Sequence, residues 1–300
     1  MNKILIICGP TASGKTALAI ECAKLLNSEV VSADSMYIYK GLNIGTAKPT
    51  TEEMNNIKHH LIDVVEPTTT FSVGDYKELA KPIIDDLLTK NKVPVICGGT
   101  GFYINSILYD LSYGNAGKNL DAREKYFNMA KELGNIAVYN ELFRVDKESA
   151  EKLHPNDLKR VIRALEIYES GYKKSAQNDS LTPIYEYDAY TINHEREILY
   201  SRIDQRVDIM VNSGLVNEVN GLIDTGIDIN FQCMQGIGYK EIYSYLKNEI
   251  SLTEAIEKIK LNTHHYAKRQ ITFFKKLPNL QYLQPEDPKI LAERIVNKLW

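Results

Sequence analysis

Three short apolar runs stand out along the chain: Ile4–Cys8, Val30–Ala33 and Val93–Cys97. Each is continuous and does not alternate, and each gives way to polar or Gly-rich residues and then to helical periodicity. Continuous apolar runs of this length read as strands buried on both faces, and their alternation with helices predicts an α/β layer fold. The first helix follows at once, from Ala17 to Leu26. The segment from Ser72 to Leu88 predicts another. Ser72 is placed to cap it, with Asp75 three residues on. Tyr76, Leu79, Ala80, Ile83, Ile84 and Leu87 fall at the 3-4 spacing of one face, with Pro82 as a point of weakness.

The pattern changes after Tyr113. Gly114-Asn115-Ala116-Gly117 reads as a loop, and from Asp121 to Gly171 the periodicity is helical. Asn156 is a candidate cap for a helix running to Ser170, with Leu158, Val161, Ile162 and Leu165 on one side and Gly171 as its stop. Gly171 to Pro183 is polar and reads as a loop. Tyr187–Ile192 alternates like a strand returning to the sheet. Helices then dominate: Glu195–Ser213, Val216–Thr225 and Thr253–Phe274. The expectation is an α/β core formed by 1–112 and 187–300, with a helical insertion at 113–186.

Composition narrows the classes. With 300 residues, 44% hydrophobic and 25% charged, the chain can bury a sizeable core. A net charge of −3 excludes a whole-molecule basic field, so any nucleic-acid site must be a local patch. Cys8, Cys22, Cys97 and Cys233 form no C-x-x-C pair, so buried, reduced thiols are expected. No run has the length of a membrane span and no signal peptide is present, so the expected setting is cytoplasmic.

The chemistry begins where the first strand meets the first helix. Gly9-Pro10-Thr11-Ala12-Ser13-Gly14-Lys15-Thr16 fits G-x-x-x-x-G-K-[ST]. Such a loop cradles a di- or triphosphate with backbone N–H groups, while Lys15 adds charge and the Thr16 hydroxyl can ligate Mg²⁺. In an open α/β sheet, ligands bind at the carboxyl ends of the strands. There Asp34 is a carboxylate able to accept a proton, to hold Mg²⁺ through water, or simply to cap a turn. Gly98-Gly99-Thr100-Gly101 is either a tight turn or a ligand-approach loop. No apolar strand ends in the Asp usual for nucleotide hydrolysis. Arg202 and Arg206 share a helix face and read either as a phosphate clamp or as a solvated pair beside Asp204 and Asp208. From Lys258 to Pro285 there is no acid, yet there are six Lys or Arg interleaved with Tyr266, Phe273 and Phe274. Lys159, Arg160 and Arg163 make a second basic group. Together these groups suggest an RNA or DNA backbone, and each alone suits a solvated helix face.

These motifs together resemble the tRNA dimethylallyltransferases. The match runs through GPTASGKT at 9–16, SADSMYIYKGLNIGTAKP at 32–49, HHLIDVVEP at 59–67, FSVGDY at 71–76 and VPVICGGTGFYI at 93–104. It continues through LHPNDLKRVIRALEIY at 153–168, RIDQRVDIMVNSGLVNEV at 202–219, QGIGYKE at 235–241 and YAKRQITFFKK at 266–276. The resemblance implies a P-loop NTPase-like core with a mostly parallel sheet and an α-helical insertion gripping the tRNA anticodon arm. It implies transfer of a dimethylallyl group from dimethylallyl diphosphate to N6 of adenosine-37, with the phosphate loop holding diphosphate and not a nucleotide. Lys15, Thr16 and Mg²⁺ would stabilise the leaving group, Asp34 would act as base, and Thr100 and Arg123 would assist. Arg202 or Arg206 would clamp the pyrophosphate. RNA contacts are implied at Asp34-Ser35-Met36-Tyr37, at Lys159-Arg160-Val161-Ile162-Arg163, at Gln235-Gly236-Ile237-Gly238-Tyr239-Lys240, and at Lys268 and Arg269. A monomer is expected. Two positions depart from the family pattern: Tyr37 stands where Gln is common, and His264 where Arg is common. The rival readings are a small-molecule kinase using ATP, a non-catalytic RNA-binding protein with a nucleotide switch, and a prenyltransferase acting on free AMP or ATP.

Overall fold

A computed structural model of the chain describes residues 2–109, 111, 119–176 and 182–299. Its contacts divide it into two compact units, Met1–Leu108 with Pro183–Trp300, and Tyr109–Thr182. The first unit is built on a six-stranded sheet in which every pairing is parallel. In chain order the strands are β1 (Lys3–Cys8), β2 (Val30–Ser32), β3 (His59–His60), β4 (Val95–Gly98), β5 (Glu186–Ile192) and β6 (Leu280–Leu283). The spatial order is β3-β2-β4-β1-β5-β6. The helices of the same unit are α1 (Lys15–Leu25), α2 (Val73–Thr89) and α3 (Gly101–Leu108), and after the second unit come five more.

The apolar runs read as strands because both faces of the sheet are covered. Ile4 to Cys8 are fully buried. Leu5 and Ile7 pack with Leu18, Ala19, Cys22 and Ala23 of α1 and with Leu291, Ala292 and Ile295 near the C-terminus. On α2, Tyr76 donates to the Ser32 carbonyl at 3.0 Å and stacks on Tyr103 of α3 with centroids 3.9 Å apart. The capping box at the start of α2 forms as expected, Ser72 with Asp75. Leu79 does not join the buried face; it is 42% exposed, and the helix runs on through an exposed Pro82. The four cysteines are buried and free.

The sheet reverses direction of travel at β1. The chain leaves β1, passes through α1, crosses to β2, and only later inserts β4 between them. The carboxyl ends of β1, β2 and β4 therefore converge, which is where a ligand is expected. Two strands had no sequence signal. β3 is two residues and β6 four, each too short to show a period. β6 is an edge strand held by β5 in the register Ala189 to Leu280.

The second unit holds α4 (Leu120–Leu133), α5 (Asn135–Val145), α6 (Lys147–Glu151) and α7 (Leu158–Glu169). Its core joins Tyr126, Val138, Leu142 and Ala150 to Val161, Ile162, Ala164 and Leu165. The N-cap of α7 is Asp157, not Asn156, and its side chain makes no cap bond. It pairs with Arg160 at 3.2 Å instead. Gly171 stops the helix with φ +86°. The loop read at Gly114–Gly117 lies outside the described residues, as does 177–181 within the Gly171–Pro183 loop.

The remaining helices are α8 (Arg196–Asn212), α9 (Leu215–Asp224), α10 (Tyr239–Leu246), α11 (Leu252–Phe274) and α12 (Pro288–Leu299). A capping box of Ser251 and Glu254 starts α11. No helix among the described residues is long and apolar enough to cross a membrane.

Beside β2, the Glu29 carboxylate accepts Lys92 Nζ at 3.0 Å and His60 Nε2 at 2.7 Å, with Lys58 Nζ at 3.5 Å. Burial alone would raise its pKa. The bonds from Lys92 and His60 and the Lys58 charge outweigh that and hold it at about 2, below its ordinary 4.5. A folded pKa below the unfolded one gives stability that is complete above pH 4.5 and is lost as pH falls through 2. Glu29→Gln is expected to lower Tm at pH 7 by roughly 2–6 °C. The gap from the parent should shrink as pH falls below 4.5. Thermal melts over that range check this, and a gap independent of pH would contradict it.

Candidate functional site: a phosphate loop between two cavities

The phosphate loop occupies the corner between β1 and α1. Gly9 has φ +143°, and a Cβ there would lie 2.6 Å from Thr191 Oγ1, so only glycine fits. Ala12 at φ +61° and Gly14 at φ +91° curl the chain in the left-handed region, the backbone of an anion nest. α1 starts at Lys15 with no acidic residue in its first turn and no side-chain cap, so its first N–H groups are placed to bond an anion. The Ser13 hydroxyl is buried in the same loop without a partner among the described residues.

Side chains from far along the sequence hold this loop. His194 Nε2 is 2.9 Å from the Ser13 carbonyl. Arg202 donates from Nε to the Ala12 carbonyl at 2.8 Å. Arg206 donates to Thr11 Oγ1 at 3.4 Å and to the Ala47 carbonyl at 3.1 Å. Both arginines therefore bond the phosphate loop, Arg206 half-buried and Arg202 still exposed. Their neighbouring acids are turned to α11: Asp208 pairs with Lys260 at 2.8 Å, and Asp204 sits 2.8 Å from His264. His264 also stacks on Tyr200, so it braces α8 against α11. Gln270 of α11, buried to 5% exposure, closes the arrangement. Its Oε1 accepts the Thr11 N–H at 3.0 Å and its Nε2 donates to the Gly99 carbonyl at 2.9 Å. Lys15 folds back, donating from Nζ to the Pro10 carbonyl at 3.1 Å. Burial pushes the Lys15 pKa down and Arg206 adds to this, while Cys97 and Asp34 oppose.

Two cavities open on either side of Lys15. The larger, about 530 Å³, is walled by the phosphate loop, Arg202 and Tyr37. The smaller, about 350 Å³, is walled by Ser35, Met36, Tyr266, Arg269 and Gln235 to Gly238 with Lys240. They share Thr11, Lys15, Asp34, Thr46 and Arg206. Asp34, at the end of β2, accepts the Met36 N–H on Oδ1 at 2.9 Å. Its other oxygen makes no hydrogen bond to protein among the described residues. Asp34 is thus a turn cap and a cavity carboxylate at once. Thr100 Oγ1 accepts the Ser35 N–H at 3.0 Å and fixes the strand end that carries it. Burial and then Asp34 raise the Tyr266 phenol to about 12, so it stays protonated at neutral pH.

The loop from Asp34 to Pro49 is anchored by two residues that sequence reading passed over. Glu218 of α9 accepts the N–H groups of Asn43, Ile44 and Gly45 at 2.8, 2.8 and 3.0 Å and the Tyr239 hydroxyl at 2.6 Å. Lys48, 8% exposed, donates to Tyr39 O, Asn43 Oδ1 and Asp63 Oδ1. Three residues expected to touch RNA are instead core. Val161, Ile162 and Tyr239 are 0%, 2% and 0% exposed, so none offers a surface to a ligand. Tyr37 lines the larger cavity only of the two, its hydroxyl donating to the Ala47 carbonyl at 2.9 Å. In the Tyr109–Thr182 unit, Arg123 and Arg163 both pair with buried Glu166, at 3.0 and 2.7 Å, and Lys159 is exposed.

A family model described as IPP transferase matches residues 37–277. A tRNA dimethylallyltransferase of Acetivibrio thermocellus is 48% identical over 96% of this chain and 93% of that relative. The crystal structure of the full-length tRNA isopentenylpyrophosphate transferase of Bacillus halodurans aligns with a TM-score of 0.75 at 38% identity, covering 100% and 97% of the two chains. A eukaryotic dimethylallyltransferase acting on tRNA aligns with a TM-score of 0.82 at 27% identity, over 100% of this chain and 78% of that one.

The Gln270 bridge generates a prediction. Gln270→Leu leaves the buried Thr11 N–H and Gly99 carbonyl unpaired. A loss of roughly 1–3 kcal/mol is expected in urea unfolding, together with weaker binding of inorganic pyrophosphate by calorimetry. Unchanged pyrophosphate affinity in the folded variant would separate the bridge from the anion site.

Proposed function

Because this chain belongs to the IPP transferase family, we propose that it transfers the dimethylallyl group from dimethylallyl diphosphate to N6 of adenosine-37 in tRNA, releasing pyrophosphate. The observation that carries the assignment of roles is the junction of the two cavities at Lys15 and Asp34. An anion seated in the phosphate loop and a purine entering from the side of Met36 and Tyr266 would meet there.

The chemistry then follows from charge. The N6 lone pair attacks the allylic carbon, and the C–O bond breaks with its electron pair on the diphosphate oxygen. The N6 proton passes to Asp34. The N6 amine is a poor nucleophile because its lone pair is delocalised, so a carboxylate that takes its proton matters. Lys15, Arg202, Arg206 and the loop N–H groups stabilise the charge gathering on the leaving group. Thr100 holds Asp34 in place through Ser35.

The residues present suit Mg²⁺. Thr16 lies in the first turn of α1 and borders a small cavity with Asp34, and among the described residues no cluster of three His, Cys, Asp or Glu forms a closed cage. Mg²⁺ favours such open sites, taking substrate phosphate oxygens and water beside one protein hydroxyl. When bound, Mg²⁺ neutralises leaving-group charge as a Lewis acid. The target base must leave its stack to reach a walled cavity, so the anticodon stem-loop is the partner and the base is flipped. Lys159, Arg160 and Arg163 with the helical unit, and Lys268 and Arg269 of α11, are the proposed grip on its backbone. The protein acts in the cytoplasm as a monomer.

One assay tests the reaction: labelled dimethylallyl diphosphate and Mg²⁺ with unmodified tRNA, and with AMP or ATP as controls. Label in tRNA alone is expected; label in AMP, or ATP turnover without tRNA, would sink the reading. A second prediction concerns Asp34→Ala. Turnover should fall by roughly 10²–10⁴-fold while tRNA affinity is nearly unchanged. Affinity falling in step with rate would make Asp34 a contact and not a base.

A further inference from the structure

On α11, Tyr266, Arg269 and Phe273 recur at intervals of three and four, so they follow one side of the helix, and Lys276 stands in the turn just past its end. Arg269 lines the smaller cavity and also an open groove of about 290 Å³ bounded by Lys268, Thr272, Phe273 and Lys276. The groove therefore begins at the mouth of the cavity proposed for the flipped base. Beside it stands Phe102 in the first turn of α3. Its ring is 59% exposed and meets Phe273 edge-on, with centroids 5.3 Å apart. Phe273 can approach so closely because Gly101 has no side chain; a Cβ there would collide with the Phe273 ring. Lys268, Arg269 and Lys276 are exposed, and the stretch from Lys258 to Pro285 offers them no carboxylate.

An exposed aromatic side chain beside the exposed Lys268, Arg269 and Lys276 suits an unstacked nucleobase and its phosphates. A protein partner's apolar patch would leave these cations desolvated and unpaired. We propose that Phe102, braced by Phe273, is a stacking shelf for the nucleotide adjacent to the flipped target, with Lys268 and Lys276 holding that nucleotide's phosphates. The shelf rests on the tRNA reading above and adds a binding subsite to it. When the target leaves the loop stack, its neighbour loses a stacking face, and the Phe102 ring supplies one.

The test uses an anticodon stem-loop RNA carrying 2-aminopurine on either side of the target, with KM, kcat and fluorescence measured on the full chain. Phe102→Ala should raise the RNA KM roughly 5- to 100-fold with little change in kcat, and should abolish the quenching of one 2-aminopurine position. Phe102→Trp should restore both. Lys276→Ala should reduce the salt slope of binding by about 1. Dimethylallyl diphosphate affinity and thermal unfolding of Phe102→Ala should match the parent. An active parent whose Phe102→Ala variant keeps KM and quenching would overturn the shelf alone. So would unchanged RNA affinity with altered self-association, which would assign the patch to a protein contact. A parent that transfers nothing to tRNA would overturn the reaction, and the shelf with it.

Discussion

The rest of the site depends on fixing the phosphate loop beside Lys15, Arg202 and Arg206. Lys15 is pushed toward neutrality by burial, and Arg206 stands close enough to push the same way. The carbonyls of Pro10, Ala12 and Ser13 are bonded by Lys15, Arg202 and His194, and the Thr11 N–H is taken by Gln270. The loop and the cations beside it are thus held by bonds within the fold, an arrangement that suits the stabilisation of anionic charge.

The carboxylate is fixed by a separate scaffold. Asp34 begins a loop with no regular structure as far as Pro49, and such a loop would ordinarily be mobile. Glu218 prevents this by accepting three consecutive N–H groups and a phenol, a charge-assisted set that pins both backbone and register. Lys48 does the same from inside, satisfying two oxygens of the loop and pairing with Asp63. Because α8 carries the arginine clamp and α9 carries Glu218, the turn at Gly214 joins the two scaffolds.

What could be read from sequence was local. The phosphate loop shows because strand, glycines, Lys15 and helix lie within two dozen residues, and β1, β2 and β4 show because burial on both faces makes them continuous apolar runs. Partners distant in the chain did not show. Gln270 is 259 residues from the Thr11 it holds, and Glu218 is 173 to 175 from its three amides. A glutamine or glutamate in a helix carries no mark of whether it faces water or a backbone amide. The reading of Lys159 to Arg163 as one RNA-contacting block failed for a geometric reason. At 3.6 residues per turn five consecutive residues cover the whole circumference, so Val161 and Ile162 had to face the core if the basic residues faced out. The same blindness left Arg202 and Arg206 undecided, since their spacing gave a shared face but not its direction.

The turn after β4 shows why the site does not divide into independent parts. A Cβ on Gly98 would collide with the backbone of Ala33, one on Gly99 with the Gln270 amide, and one on Gly101 with the Phe273 ring. Between them, Thr100 receives the Ser35 N–H. Four successive residues therefore set the position of the strand end bearing the carboxylate, the bridge that holds the phosphate loop, and the aromatic side of α11. Side chains at these glycines would not merely fill space. Each would displace a different one of these contacts, and α11 would have to move away from both the loop and the smaller cavity. Close approach at this turn is what lets a single long helix reach the anion site through Gln270 and the mouth of the smaller cavity through Arg269. The spacing between the phosphate loop and the mouth of the smaller cavity is then set in part by that one helix.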